Sequence, residues 1–355
     1  RGDPDVFRLN TGGGSDTLWA WGDDRQGQLG VGGSTMQVTP KRVLNGVASI
    51  AGGDRFSLAS DVQGRAWSWG GNGDGQLGDG TQNDRGTPIT LSTLPDVTSV
   101  AAGVEHSLIL TADGSVQAFG YNSYGNLGTG VFSGRQFSPV DVVDLDSVVI
   151  TAISVGRDHS VALDSGGVVW TWGQNSDGQL GDGTTLDSAH PISLADSGMP
   201  RIVQVRAAAL GDHTVAVDVD GHVWTWGETK WGPSTAGLES RSTPGMVPGL
   251  ENIVAVAAGR KFVTALDSDG VVYTWGFNGS GQLGDGSTTP HETPAPVDTT
   301  SGLADVVEVC TGFEHVLART STGESRQFAP CKRGSGCHRF AAATLATVRL
   351  QVPPD

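Results

Sequence analysis

Several residue types and patterns are scarce in the 355-residue sequence, and each scarcity limits what this protein can do. Lysine is rare, and 38 acidic residues against 22 basic ones leave a formal charge of −16. Because such a surface repels phosphate backbones and anionic lipid headgroups, we expect neither nucleic acid nor a membrane surface as a partner. No apolar run approaches the roughly 18 residues that a membrane-spanning helix needs. No segment shows sustained helical periodicity with caps either, so the sequence predicts an all-β protein.

Cysteine is also scarce, with three residues. Cys310 stands in the apolar run "VVEVCTG" and is predicted to be a buried structural thiol. Cys331 and Cys337 flank "KRGSG" and form a candidate disulfide, with two free thiols as the alternative. A zinc site needs more ligands at tight spacing, so we predict no metal and no cofactor. A disulfide and a lysine-poor composition rich in Gly, Ser and Thr favour an exported bacterial protein, extracellular or at the cell surface.

What the sequence has in abundance is a repeat. An aromatic-Gly pair recurs about every 50 residues, with the aromatic residue at Trp21, Trp69, Phe119, Trp172, Trp226 and Trp275. A second signature, of the type "AGVEHSLIL", precedes most of these pairs and places a histidine at one register: His106, His159, His213 and His315. Self-similarity at this period indicates a propeller or a solenoid rather than separate domains.

Each repeat unit has the pattern of antiparallel strands. The segment "SVALDSGGVVWTWG" alternates, turns and alternates again, which is typical of a β-hairpin. We expect the Trp-x-Trp strand to be the inner packing strand of its sheet and its aromatic side chains to pack between sheets. Phe56 and Phe262 replace the recurring histidine in two units, so the histidines are predicted to be structural.

The chain ends are predicted to complete a seventh unit. The segment "TGESRQFAP" aligns with "DGVVYTWGF" and places Phe328 at the aromatic-Gly position of a degraded unit. Residues 346–352 are expected to pair with residues 17–22 and close the ring, which removes exposed sheet edges. We therefore predict one domain over residues 1–355, with a degenerate closing blade formed by residues 313–355 together with 15–22.

The paired signatures "AGVEHSLIL" and "WGQNSDGQLGDGT" resemble those of the RCC1-repeat family, named after the regulator of chromosome condensation. The resemblance covers roughly residues 15–330 and implies a seven-bladed β-propeller closed by the chain termini. Family members exchange nucleotide on a small GTPase, bind chromatin or inhibit β-lactamases, so the resemblance alone does not select a function. A charge of −16 and the absence of a basic tail argue against chromatin binding.

The repeated run Gly-Gln-Leu-Gly-Asp-Gly admits three interpretations. A phosphate-binding loop would need a lysine and a following helix, and a calcium loop would use aspartates such as Asp74 and Asp79. Because the run recurs in several units, a compact structural turn is favoured. Among the histidines off the repeat register, His190, His222 and His291 would be the candidates for acid–base chemistry at a pocket on the propeller axis. We predict no catalytic residues.

Function is expected where the repeat varies. The residue directly before the first glycine of the repeated loop differs from unit to unit. It is Gln26, Asp74, Tyr124, Asp177, Trp231 or Ser280. Phe132, Arg135 and Phe137 stand in an adjoining segment that we predict to be a loop, and aromatic and arginine side chains are enriched at interface hot spots.

These features predict a monomeric, non-enzymatic module that presents a loop-rich face to a protein partner, favouring one with a basic patch. The alternatives are an extracellular polysaccharide-acting enzyme, a regulator of a small GTPase of the nucleotide-exchange type, and an adhesive repeat within a larger surface protein.

Overall fold

The computed structural model describes residues 6–9, 17–208, 210–228, 240–321 and 325–328, the first and last stretches by their backbone alone. These residues form strands β1 to β26 and one short 3-10 helix, Thr299–Ser301. The all-β prediction is therefore confirmed. Trp231, Cys331 and Cys337 lie outside the described residues, so the predictions made for them remain predictions, as does the extent of the single domain.

Consecutive strands pair antiparallel and form seven successive sheets, which we call blades 1 to 7. Blade 1 has three strands, β1 (Val6–Leu9), β2 (Thr17–Gly22) and β3 (Gln37–Asn45). Blade 2 consists of β4 (Val47–Gly52), β5 (Phe56–Asp61), β6 (Ala66–Gly70) and β7 (Arg85–Thr90). Blade 3 consists of β8 (Val97–Ala102), β9 (His106–Thr111), β10 (Val116–Tyr121) and β11 (Arg135–Asp141).

Blades 4 to 6 repeat the four-stranded pattern, and the described part of blade 7 has three strands. Blade 4 consists of β12 (Ile150–Val155), β13 (His159–Asp164), β14 (Val169–Gly173) and β15 (Ser188–Ser193). Blade 5 consists of β16 (Ile202–Ala207), β17 (His213–Asp218), β18 (Val223–Gly227) and β19 (Arg241–Met246). Blade 6 consists of β20 (Ile253–Ala258), β21 (Phe262–Asp267), β22 (Val272–Gly276) and β23 (His291–Pro296), and blade 7 of β24 (Val306–Thr311), β25 (Val316–Thr320) and β26 (Ser325–Phe328).

From blade 2 to blade 6, the first strand of each blade contacts the first strand of the next, so these inner strands surround a common axis. They are β4, β8, β12, β16, β20 and β24. The arrangement is that of a β-propeller. The Trp-x-Trp strand is the third strand of its blade, so the prediction that it lies innermost is wrong. Both faces of the second and third strands are largely buried, and alternation within these strands therefore cannot reveal their order in the sheet.

The hydrophobic core lies between neighbouring blades. Trp172 is fully buried and packs with Leu108 and Val142 of blade 3 as well as Ile153 of its own blade. Its indole Nε1 donates to the backbone oxygen of Asn126, 2.9 Å away, which fixes the orientation of the ring. Each second tryptophan of a pair thus anchors one blade to the preceding one, as predicted for packing between sheets.

The degraded seventh unit has the predicted register. Val316 of β25 pairs with Phe328 of β26, just as Ser160 pairs with Trp172 in blade 4. At the other end, the strand that we expected to pair with β2, residues 346–352, lies outside the described residues, and β1 and β3 occupy both edges of β2. Closure of the ring by the chain ends stays a prediction.

Candidate protein-binding face

The turns and loops of the blades divide between two ends of the propeller. The turn between the first and second strands and the loop between the third and fourth strands lie together, because antiparallel strands alternate in direction. The backbone N–H of Tyr121 donates to Glu105 O and that of Gln174 to Asp158 O, both at 2.9 Å, which ties loop to turn. We call this end the loop face, and the opposite end, with the Asp-Gly hairpin turns, the turn face.

A buried asparagine holds the repeated loop of blades 2, 3, 4 and 6 on the loop face, and Asp24 takes its place in blade 1. In blade 4, Asn175 Oδ1 accepts from the N–H of Leu180 at 3.0 Å, and its Nδ2 donates to Asp182 Oδ1 at 3.1 Å. Asp182 also accepts from the N–H and the hydroxyl of Thr184. These aspartate oxygens are therefore bonded within the loop, which accounts for the recurring Gly-Gln-Leu-Gly-Asp-Gly run without a bound phosphate or calcium ion.

Each loop also packs against the outer strand of the next blade. Gly75 has a φ of 81°, and a Cβ added there would lie 2.6 Å from Phe137 Cδ1. Gly125, with a φ of 78°, would meet the Cα of Ala189 at 2.5 Å. Glycine is required at these positions both by the left-handed backbone and by the close approach of the neighbouring blade.

The recurring histidines are buried inside the propeller. His106, His159 and His213 are fully buried and His315 is half-buried. His159 Nε2 lies 3.0 Å from Thr214 Oγ1 in the next blade, and Thr214 Oγ1 donates in turn to the backbone oxygen of Gln179. Because the hydroxyl proton is used in the second bond, Nε2 must carry the proton of the first. Burial lowers the pKa of His159 to about 3, so the imidazole is neutral.

The recurring aromatic residues are placed in the same way. Trp69, Phe119, Trp172 and Trp226 are fully buried, Trp275 is nearly so, and Trp21 is half-buried. Repeated positions thus build the interior of the propeller.

The variable position lies on the loop face in every described unit. Its backbone N–H donates to the side-chain oxygen two residues on, as in Asp74 to Gln76 Oε1 at 2.8 Å and Tyr124 to Asn126 Oδ1 at 3.2 Å. The described members are all half-buried: Gln26, Asp74, Tyr124, Asp177 and Ser280. Several reach the next blade, and Ser280 Oγ donates to Glu314 Oε2 at 2.9 Å.

An aromatic and arginine group borders the junction of blades 2 and 3. Phe132 is 58% exposed and Phe137 is 36% exposed. Arg135 pairs with Asp74 across the junction at 2.5 Å. Tyr124 belongs to the same blade and packs edge-on against Tyr121, with ring centroids 6.0 Å apart. Arg135 and Phe137 begin strand β11, so their prediction as loop residues is wrong, although they do stand at the loop face.

The sequence did not lead us to predict a ring of charged residues on the loop face. The residue immediately before the recurring histidine or phenylalanine is charged in all six units: Arg55, Glu105, Asp158, Asp212, Lys261 and Glu314. The recurrence of a charged residue at this position is visible in the sequence and could have revealed the ring. Burial raises the pKa of Glu105 and Asp158, and it raises that of Asp212 to about 6 despite the nearby Arg157. The loop face therefore carries incompletely neutralised carboxylates.

Asp212 lies in a cleft between blades 4, 5 and 6. Arg157 Nη1 approaches Asp212 Oδ2 to 3.6 Å, while Asp212 Oδ1 is buried. Lys261 Nζ contacts Glu228 Oε1 at 2.5 Å. The cleft is lined by Arg157, Asp177, Leu210, Gly211, Asp212, Glu228, Arg260 and Lys261.

The three off-register histidines do not share a carboxylate. His190 pairs with Asp144 at 2.7 Å, and His291 Nε2 lies 3.5 Å from Asp285. His222 lies beside Asp218 on the turn face, where Asp218, Asp220 and His222 form the one group in the described ranges close enough to share a metal ion.

That trio follows the structural pattern of the hairpin turns. Asp218 Oδ1 accepts from the backbone N–H groups of Asp220 and His222, and its Oδ2 accepts from Trp224 Nε1 at 2.9 Å. Asp61 makes equivalent bonds in blade 2 without a histidine. The aspartate thus orders the turn.

The architecture defines a β-propeller built of repeated four-stranded blades. Two family models, both described as the Regulator of chromosome condensation (RCC1) repeat, match it. The first covers residues 15–60, 63–110, 113–163, 166–217 and 269–319, and the second covers 47–76, 97–126, 150–179 and 253–282. The chain therefore belongs to the RCC1-repeat family.

The chain is similar to known proteins over different extents. It is 34% identical to the ultraviolet-B receptor UVR8 of Arabidopsis thaliana over 54% of this chain and 44% of that protein. It is 31% identical to the human E3 ubiquitin-protein ligase HERC2 over 49% of this chain and 4% of that protein. Its match thus spans less than half of either relative.

Solved structures show the same fold over nearly the whole chain. Human WBSCR16 is 27% identical with a TM-score of 0.77, covering 93% of this chain and 89% of that one. Prp20p of Saccharomyces cerevisiae is 22% identical with a TM-score of 0.73, covering 92% of this chain and 81% of that one. Its structure is described together with its binding to Gsp1p and histones. Among the described residues no helix is long and apolar enough to cross a membrane.

Proposed function

We propose that this chain is a non-enzymatic protein-binding module whose loop face receives a protein partner. The observation that carries the proposal is the separation of repeated and varying residues. Repeated histidines and aromatic residues are buried between blades, whereas Tyr124, Phe132 and Arg135 stand on the loop face and differ from their counterparts in other blades. A surface that must recognise one partner needs such asymmetry, since identical blades would offer several equal sites.

The charge of the loop face supports a partner with a basic patch. Glu105, Asp158 and Asp212 are partly desolvated carboxylates with raised pKa values, and a basic side chain placed beside them would stabilise their charged forms. The acidic surface as a whole would also accelerate encounter with such a partner. Prp20p has the same fold and is described as binding proteins, which makes a protein partner the natural first hypothesis.

Affinity purification from the native source tests the proposal. Wild-type protein is compared with the double variant Tyr124→Ala, Trp231→Ala and with Val219→Ser, whose side chain is 54% exposed on the turn face. We expect one partner to be retained by the wild type and by Val219→Ser and lost by the double variant. A partner retained by the double variant as well as by the wild type would contradict the choice of face.

The alternative of a polysaccharide-acting enzyme has less support. It requires acid and base groups that converge in one cleft, and His190, His222 and His291 instead lie beside three separate aspartates. Regulation of a small GTPase would be one form of the protein-binding function and stays a hypothesis.

We also propose that the protein acts as a monomer outside the cell or at its surface, on the strength of its acidic, lysine-poor composition. Fractionation of the source cells tests the location, and light scattering of the purified protein tests the monomer. Recovery in the cytosolic fraction, or a mass of two chains, would contradict these two points.

A further inference from the structure

Arg206 interrupts a row of small side chains on the inner strands. In each of blades 2 to 7, one inner-strand residue pairs with the residue two positions after the recurring histidine or phenylalanine. These six inner-strand residues occupy equivalent sites. Arg206 holds this site in blade 5, and the other blades hold Ala51, Ala101, Ser154, Ala257 and Cys310. No other lysine or arginine stands on these six strands.

The guanidinium of Arg206 lies at the edge of its strand that faces the propeller axis. Each inner strand pairs on one side only. In blades 5 and 6 a side chain of the preceding blade reaches the other edge: Ser154 Oγ accepts from the N–H of Ala207 at 2.9 Å, and Gln204 Oε1 accepts from that of Val256. Val205 directs its backbone groups to the same edge as Ala207, because residues two apart in a strand share an edge. Arg206 Nη1 donates to Val205 O at 3.0 Å, which places the guanidinium there.

This cation has no acidic partner in the described part of the chain. A guanidinium offers five N–H donors, and the bond to Val205 O uses one of them. The single carboxylate on the inner strands of blades 2 to 7 is Glu308, which Arg319 of its own blade binds at 2.8 Å. Burial lowers the pKa of Arg206, and no charge among the described residues offsets that effect. A half-buried guanidinium without a counter-charge is costly unless an anion reaches it.

We propose that Arg206 forms a binding site for an inorganic oxyanion, of the phosphate or sulfate class, on the axis of the propeller. The planar fork of a guanidinium matches two oxygens of a tetrahedral anion. The side chains at the equivalent positions of the other blades are small, and none of them carries a charge. The site is distinct from the cleft around Asp212, because Arg206 does not line that cleft.

Thermal unfolding of the full chain tests this site. Sodium phosphate is titrated at constant ionic strength against sodium chloride, and sodium sulfate is then titrated in the same way. We expect a saturable rise in the Tm of the wild type, since a ligand that binds only the folded state stabilises it. Arg206→Gln should lose the rise, and Arg206→Lys, which keeps the charge but not the fork, should need about tenfold more anion.

Arg201→Gln is the matched control, because Arg201 is an exposed arginine one residue before β16 and the variant loses the same charge. We expect it to keep the wild-type response. An equal rise in Arg206→Gln and wild type, or no saturable rise in the wild type, would overturn the proposal. If Arg206→Gln does not fold, wild-type crystals soaked in selenate decide the question. An anomalous peak beside the Arg206 guanidinium supports the site, and a peak elsewhere or none overturns it.

Discussion

The recurring histidine is a hydrogen-bond donor between blades. His106 and His159 each lie 3.0 Å from a hydroxyl of the next blade, on Ser160 and Thr214. Those hydroxyls donate to backbone oxygens of the repeated loops, so the histidine joins two second strands and a loop. Phenylalanine can replace histidine at this position because the ring packing is kept while only the hydrogen bond is lost.

Burial of a neutral histidine makes stability depend on pH. The pKa of His159 falls to about 3 in the folded state from an ordinary value near 6.5. The unfolded state therefore binds more protons between these values, and the stabilisation present above pH 6.5 is lost as the pH falls towards 3. The slope is about 1.4 kcal/mol per pH unit for one fully titrating group.

We therefore expect His159→Phe to lose less stability on acidification than the wild type. Between pH 7 and pH 5 the difference should be about 2 kcal/mol in the free energy of unfolding, measured with urea. Phe56→His is the reverse test, since Ser107 of the next blade stands where Ser160 and Thr214 stand elsewhere. It should increase the loss by a similar amount. Identical pH dependence in all three proteins would contradict a neutral buried histidine.

Asp212 should show the opposite dependence. Burial raises its pKa to about 6 from an ordinary 3.8, so the ionised form costs stability, and this cost appears as the pH rises from about 4 to 6. We expect Asp212→Asn to be more stable than the wild type by about 1–2 kcal/mol at pH 7 and by much less at pH 4. Urea unfolding at the two pH values measures this. A gain of the same size at both would show that the carboxylate is not strained by burial.

At the scale of the element, the repeated loop is a rigid connector between blades. Its asparagine bonds fix its shape, and its glycines allow the next blade to approach. Repetition of the run in the sequence predicted this structural role, because every blade needs a turn at this place, whereas a binding site for one ligand need not recur in every unit. The placement of Arg135 and Phe137 on β11 was not predictable in the same way, since the "GRQFSP" segment has too few alternating apolar residues to indicate a strand.

Two glycines two residues apart in one loop provide a matched prediction. Gly75 has a φ of 81° and contacts Phe137 and Gln136, so Gly75→Ala should cost about 1–3 kcal/mol of stability. Gly73 has open space around its Cα and an ordinary backbone, so Gly73→Ala should change stability by less than about 1 kcal/mol. Chemical unfolding of the two variants compares them directly. Equal costs would mean that the loop adjusts without strain.

At the scale of the whole molecule, the sequence period predicted the propeller and the number of its repeats. It did not predict which strand lies innermost, because the first three strands of a blade are all largely buried, whereas only the fourth is more exposed. It also missed the charged residue before each histidine, because that residue acts through neighbours that only the fold brings together. Glu105, for example, has its pKa raised by Asp74 and Asp158 in addition to burial.

The loop face as the partner surface is the central claim, and hydrogen exchange of the complex tests it most directly. The partner retained by affinity purification is bound to the full wild-type chain, and amide exchange is compared with the free protein. We predict protection in the loop-face segments 103–106, 122–137, 156–158 and 174–178, with the turn-face segments 61–65 and 218–222 unchanged. Protection confined to the turn-face segments would contradict the account.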